Sequence, residues 1–193
     1  MRALMVVDAQ NEFSEGGQRT IPDYARALER MLRHVDAARR ERRPIAWVQH
    51  HNKPHESKAF VPGTWGAELL PGLGPVPGAG PERLFVKDVY DAFLATELEA
   101  WLRSLGVSEV LIVGFYAHMC LATTAREAMS RGFEVQIDPD ATGARGIDDP
   151  VLGRFTADEV CRSALAQLVQ MGATIVAQEP RAREPAEAMT RSG

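Results

Sequence analysis

Ala3-Leu-Met-Val-Val7, closed by Asp8, is the stretch that decides the fold. An unbroken apolar run, in place of an alternating one, is what a strand buried on both faces requires, and such strands belong to parallel sheets covered by helices. Further short runs of this kind stand at Ile45–Val48, Leu84–Val86, Glu109–Val113, Glu134–Ile137 and Thr174–Ala177. Segments with helical spacing lie between them. Pro22 opens one that keeps Leu28, Leu32 and Val35 on a face, and Thr96 caps another that carries Leu98, Trp101, Leu102 and Leu105 up to Gly106. A third runs from Cys120 to Arg131 before Gly132, and a fourth starts at the capping box Thr156-Ala-Asp-Glu159 and stops near Gly172. Strand–helix alternation with right-handed crossovers predicts an α/β fold: a doubly wound three-layer sandwich, Rossmann-like, around a mostly parallel six-stranded sheet.

With 193 residues, 45% hydrophobic and 25% charged, the chain has the size and composition of one globular domain. That domain is expected over residues 1–180, with 181–193 as a flexible tail or an arm onto a neighbouring subunit, because the end of the chain has no periodic apolar face. His50–Arg83 and Asp138–Gly153 break the alternation and read as long, functional loops. A net charge of −4 with both signs interspersed argues against nucleic acid and anionic membranes as partners and for a small-molecule substrate. The first apolar run is too short for a signal peptide, and no stretch is long enough to span a bilayer, so a cytoplasmic protein is expected. Cys120 and Cys161 lie too far apart for a disulfide framework and lack metal-ligand spacing; both read as reduced thiols.

Ligand and catalytic sites in such sheets form beyond the carboxyl ends of the strands. Asp8 ends the first strand, Lys87 ends the third, and Cys120 follows the fourth at the start of a helix, so all three are expected to point into one crevice. A thiol at a helix N-terminus beside a cation is expected to ionise more easily, with Asp8 as its proton acceptor and Lys87 as the cation. Taken singly, an Asp after a strand is commonly a turn residue, a Lys a solvated charge and a Cys a small core residue.

The surrounding words of sequence add to this. Val6-Val-Asp8-Ala-Gln-Asn-Glu-Phe13, Val86-Lys87-Asp-Val-Tyr90-Asp-Ala-Phe93 and Val113-Gly114-Phe-Tyr-Ala-His-Met-Cys120, with Pro62-Gly63-Thr64 in the loop, resemble the motifs of isochorismatase-like hydrolases. That group includes nicotinamidases, N-carbamoylsarcosine amidases and ureidoacrylate amidases. The resemblance implies catalysis by Asp8, Lys87 and Cys120, with an oxyanion hole from the backbone N–H groups of Tyr116 and Cys120 and a cis peptide before Tyr116. It implies no organic cofactor.

Departures narrow the expectation. Gln49-His50-His51 stands where nicotinamidases carry an Asp-x-His metal motif, so no bound metal is expected; His50, His51 and His55 read as solvated or ligand-contacting. Phe13, Gln49, Trp65, Tyr90, Tyr116 and His118 are the candidate substrate-binding residues. Tyr116, His118, Gln49 and Tyr90 resemble the pocket of the isochorismatases proper, which protonate an enol ether and have glycine at the position of Cys120. The leading expectation is a cysteine hydrolase of a small amide, imide or ureido C–N bond. The alternatives are an enol-ether hydrolase with Asp8 as acid and a non-catalytic small-ligand-binding domain; the absence of Gly-x-Gly-x-x-Gly after the first strand speaks against dinucleotide binding. Relatives of this fold assemble, so a homo-oligomer, dimer or tetramer, is expected by analogy.

Overall fold

The structure, a computed structural model, describes residues 1–53 and 55–176. The predicted tail, and Ala177 of the last predicted strand, lie outside the described residues. Strands β1 (Arg2–Val7), β2 (Ile45–His50), β3 (Glu82–Lys87), β4 (Glu109–Gly114), β5 (Glu134–Thr142) and β8 (Thr174–Ile175) form one sheet in the order β3-β2-β1-β4-β5-β8, and every pairing in it is parallel. The direction of strand order reverses between β1 and β4, which is where a doubly wound sheet opens its crevice.

Alternation along β1 divides the core. Leu4 and Val6 face helix α1 (Tyr24–Arg40), whose buried stripe is Ala27, Met31, Val35 and Ala38. Ala3, Met5 and Val7 face the opposite layer, built by α2 (Leu98–Ser104), α3 (Cys120–Ser130) and α4 (Ala157–Gln170). This is the expected three-layer sandwich. Within α1 Val35 is buried as expected, while Leu28 and Leu32 are only half-buried and Ala27 and Met31 take the core positions beside them; the helix starts after Asp23, past Pro22. In α4 the capping box is formed, Thr156 accepting from the Glu159 backbone while the Glu159 carboxylate takes the Thr156 N–H. Thr96 stands just before the N-cap Glu97 of α2, and its Oγ1 accepts from the Leu98 N–H at 3.3 Å.

The Asp138–Gly153 stretch is not wholly loop. β5 continues to Thr142, and Ile147–Asp149 (β6) pairs antiparallel with Gly153–Phe155 (β7) in a small separate hairpin. Its residues are half-buried or exposed, so no apolar alternation marks it in the sequence. Asp138, fully buried, takes Arg30 and His34 at 2.6 Å each, and Asp140 takes Arg26 at 2.6 Å. Arg26, Arg30 and His34 follow one another at one-turn spacing on α1, so this ladder locks the helix to the end of β5 beside the crevice.

Gly114 allows the two central strands to meet. Its φ is +115°, and a Cβ there would lie 1.9 Å from the Val7 carbonyl oxygen, so no other residue fits. The Phe115 N–H donates to that same oxygen at 2.8 Å. The ends of β1 and β4, and the residues that follow each, are thereby held side by side. Among the described residues no helix is long and apolar enough to cross a membrane.

Candidate active site

Asp8 leaves β1 with φ +52°, a left-handed conformation rare outside glycine and asparagine-like residues; it costs roughly 1 kcal/mol or more. Its N–H donates to the Val48 carbonyl and its own carbonyl accepts from Gln10, which fixes the turn that drives the carboxylate inward. Lys87 ends the edge strand β3 directly opposite His50 on β2. Cys120 opens α3 after the turn that follows β4. Three elements far apart in sequence thus deliver three side chains to one point.

Lys87 Nζ lies 2.7 Å from Asp8 Oδ2, 3.3 Å from Cys120 Sγ, 3.1 Å from His50 Nδ1 and 3.0 Å from the Val89 carbonyl oxygen. Ammonium can only donate, so His50 Nδ1 accepts, and its Nε2–H donates to Asn52 Oδ1 at 2.8 Å. Asn52 is itself oriented by donation to the Ala59 carbonyl. All of Asp8, Lys87 and Cys120 are buried.

Burial of Lys87 disfavours its charge, yet the Asp8 carboxylate and Cys120 outweigh that and raise its pKa: it is a firm cation. For Cys120 the sign is opposite to the sequence-based expectation. Burial raises the thiol pKa strongly, the Asp8 carboxylate adds to the rise, and Lys87 offsets only part of it. The ligand-free site therefore keeps the proton on sulfur. Helix-terminus and cation effects were expected to win, but they act on a group removed from water and facing a carboxylate. Asp8→Asn removes the second of the two raising causes and leaves Lys87 without its preferred counter-ion. The pH midpoint for alkylation of Cys120 by iodoacetamide is then expected to fall by about a unit or more. A midpoint that stays put or rises contradicts this account.

Asp8, His50 and Cys120 each present a ligand-type atom within 4.8 Å of the others, the kind of cluster that can hold a metal ion. Lys87 Nζ makes close contacts with all three residues, so the cationic centre of that cluster is already filled by a side chain. His51 and His55 stand apart from it: the His51 N–H ties to the Lys87 carbonyl, and His55 is exposed.

A cavity of about 190 Å³ opens onto the thiol, lined by Asp8, Phe13, Arg19, His50, Phe60 and Tyr116, with Asn52, Tyr90, Met119 and Arg145 completing it. Phe13, Tyr90 and Tyr116 thus stand where the sequence puts them, Tyr90 at the exposed rim. Three predicted binding residues do not. Gln49 points to the other face of β2, donating to the Ala67 carbonyl at 2.6 Å, because strand alternation gives the cavity to His50. Trp65 is 52% exposed on a short 3-10 turn (Trp65–Ala67), its ring over Gly16 and off the cavity wall. His118, in the turn before α3, falls in a different depression with Ala122 and Arg126 of α3, lined also by Val160 and Ala164 of α4.

The Phe115–Tyr116 peptide bond is cis. Around it Phe115, Ala117, Met119 and Leu121 each donate their N–H to a backbone carbonyl, whereas among the described residues the N–H groups of Tyr116, His118 and Cys120 have no backbone acceptor. The first and last of these are the two donors that the resemblance assigns to an oxyanion hole.

Residues the sequence reading passed over hold the walls. Gln10 bridges the backbone of His50 and the Ala67 carbonyl, Asn11 donates to Trp65, and the buried Glu12 carboxylate accepts from Gln18 and Phe60. The one sequence signal is that Gln10, Asn11 and Glu12 lie inside the same motif as Asp8 and Phe13; once buried, such polar side chains need hydrogen-bond partners.

A family model described as the isochorismatase domain matches residues 2–179. The chain belongs to the isochorismatase family. This isochorismatase-family protein is a hydrolase, in keeping with relatives named nicotinamidase and streptothricin hydrolase. It is 33% identical over 150 residues to nicotinamidase 3 of Arabidopsis thaliana, covering 72% of each chain. It is 34% identical over 141 residues to streptothricin hydrolase of Streptomyces noursei, covering 73% of this chain and 49% of that one. The crystal structure of an isochorismatase from Pseudomonas putida KT2440 superposes with a TM-score of 0.82 at 28% identity, over 90% of this isochorismatase-family chain and 86% of the other.

Proposed function

We propose that the chain is a cysteine-dependent hydrolase of a C–N bond, amide, imide or ureide, in a small molecule. The observation that carries this reading is the meeting of thiol, carboxylate and ammonium within one cavity, Lys87 Nζ being 2.7 Å from Asp8 and 3.3 Å from Cys120. The amide-type chemistry is supported by relatives named for nicotinamide and streptothricin hydrolysis.

As substrate enters, Asp8 takes the thiol proton while sulfur attacks the carbonyl carbon. The oxyanion that forms is received by the Tyr116 and Cys120 N–H groups. Collapse breaks the C–N bond as Asp8 returns the proton to the departing nitrogen, leaving a thioester on Cys120. Water, deprotonated by Asp8, attacks the thioester; the acid leaves and the proton returns to sulfur. Net, one amide and one water give one acid and one amine. Lys87 stays protonated throughout and stabilises whichever of Asp8 and Cys120 is negative. A thiol that is neutral at rest suits this sequence, since the proton is transferred only when an electrophile is in place.

The test is intact-mass spectrometry of enzyme quenched in acid during turnover of a panel of small amides and ureides. An acyl adduct confined to Cys120 is expected. Turnover with no adduct, and with activity surviving loss of the thiol, overturns the covalent scheme in favour of protonation by Asp8.

A further inference from the structure

Several arginines of the fold hold carboxylates: Arg26, Arg30 and Arg39 do so at 2.8 Å or less. Arg19 and Arg145 differ. Both line the cavity over Cys120, and among the described residues neither guanidinium is in an ion pair or a side-chain hydrogen bond. The only carboxylate lining the cavity, Asp8, is matched by Lys87, so two guanidinium charges face the cavity without a counter-charge.

Their placement is fixed by the fold. Arg19 sits on a loop whose backbone is stitched at both faces, its N–H to the Glu12 carbonyl and its carbonyl to the Tyr116 hydroxyl at 2.6 Å. Arg145 is an exposed residue of the segment between β5 and β6. Both lie close enough to Tyr116 for their charges to act on its hydroxyl, and Arg145 acts on His118 as well. Phe13, Phe60, Tyr116 and Met119 give the cavity a largely aromatic wall, with His50, Asn52 and Tyr90 as its neutral polar groups, so the two guanidinium groups stand beside an uncharged wall. A neutral amide would leave them unmatched.

We propose that Arg19 and Arg145 form an anion subsite, so that the substrate of this hydrolase is a compact amide or ureide that bears a carboxylate. This rests on the hydrolase reading, with Cys120 as nucleophile. Guanidinium is the group suited to such a ligand, because its planar fork pairs with both carboxylate oxygens. The carboxylate is thereby held at the rim while the scissile carbonyl reaches Cys120 at the floor.

Two reagents that alkylate sulfur in the same way, with iodide leaving as the S–C bond forms, differ in this one feature: iodoacetate carries a carboxylate and iodoacetamide does not. Rates of labelling at Cys120 and at Cys161 are to be measured site by site in the intact protein by peptide mass spectrometry, with Cys161 as the internal reference thiol. The ratio of iodoacetate to iodoacetamide labelling is expected to be roughly tenfold or more higher at Cys120 than at Cys161. In R19Q/R145Q it is expected to fall to the Cys161 value, and raised salt should erode it in the wild type. Equal ratios at the two cysteines, or a preference that survives R19Q/R145Q, overturn the anion subsite while leaving Cys120 as nucleophile. Failure of both reagents to label Cys120 even at alkaline pH removes the nucleophile, and the subsite with it.

Discussion

Cys120→Ala is expected to reduce kcat by roughly 10⁴-fold or more on any amide or ureide the enzyme hydrolyses, with little change in stability. The asymmetry follows from the contacts. In the proposed scheme sulfur carries the acyl group, and Lys87 lies beside both it and Asp8. For the fold, the loss is small: Lys87 keeps Asp8, His50 and Val89, and the side chain removed is one of the smallest in its core cluster. Cys120→Ser is expected to be nearly as inactive, because a hydroxyl in this buried, carboxylate-facing position is harder still to ionise. Steady-state kinetics beside thermal unfolding of the same samples gives both readings. Activity within tenfold of wild type would remove the covalent step and leave Asp8 as a proton donor to the substrate.

Lys87→Met should act on both quantities at once. The Asp8–Lys87 pair is fully enclosed, the lysine side chain 0% and the aspartate 1% exposed. Removing one partner strands the other charge, which costs about 3–5 kcal/mol. For a chain of this length that lowers Tm by roughly 10 °C. Methionine keeps most of the volume, so the loss reports charge, not packing. The double variant Asp8→Asn/Lys87→Met is expected to recover part of the stability but none of the activity, because it removes the stranded charge along with the proton acceptor. If Lys87→Met unfolds at the wild-type temperature, the pair contributes nothing to folding and its role is confined to the chemistry.

Much of this architecture could be read from residues alone. Six apolar runs mark the strands of the sheet, and the strand-end positions of Asp8 and Lys87, with Cys120 at a helix start, point to one crevice from the sequence itself. What escaped was side-chain direction. Gln49 and His50 are neighbours, and only the register of β2 against β3, His50 opposite Lys87, decides which one enters the site. His118 and Met119 pose the same problem at the entry of α3, where one turns to α4 and the other to the cavity. Arg19 and Arg145 sit in loops with no periodicity, and their convergence on one cavity is a tertiary fact without a local signal. The sign of the thiol shift was missed for a related reason: the motif names the charged neighbours, but the depth of burial, which outweighs Lys87, belongs to the folded protein.

The resting proton on Cys120 has a consequence for durability. Peroxides oxidise the thiolate, not the thiol, so a sulfur kept neutral by burial and by Asp8 is a slow target for conversion to sulfenic and higher acids. Under the proposed covalent scheme, the same carboxylate that activates the sulfur for its substrate also shields it between turnovers, and the reactive form is exposed only while an electrophile occupies the cavity.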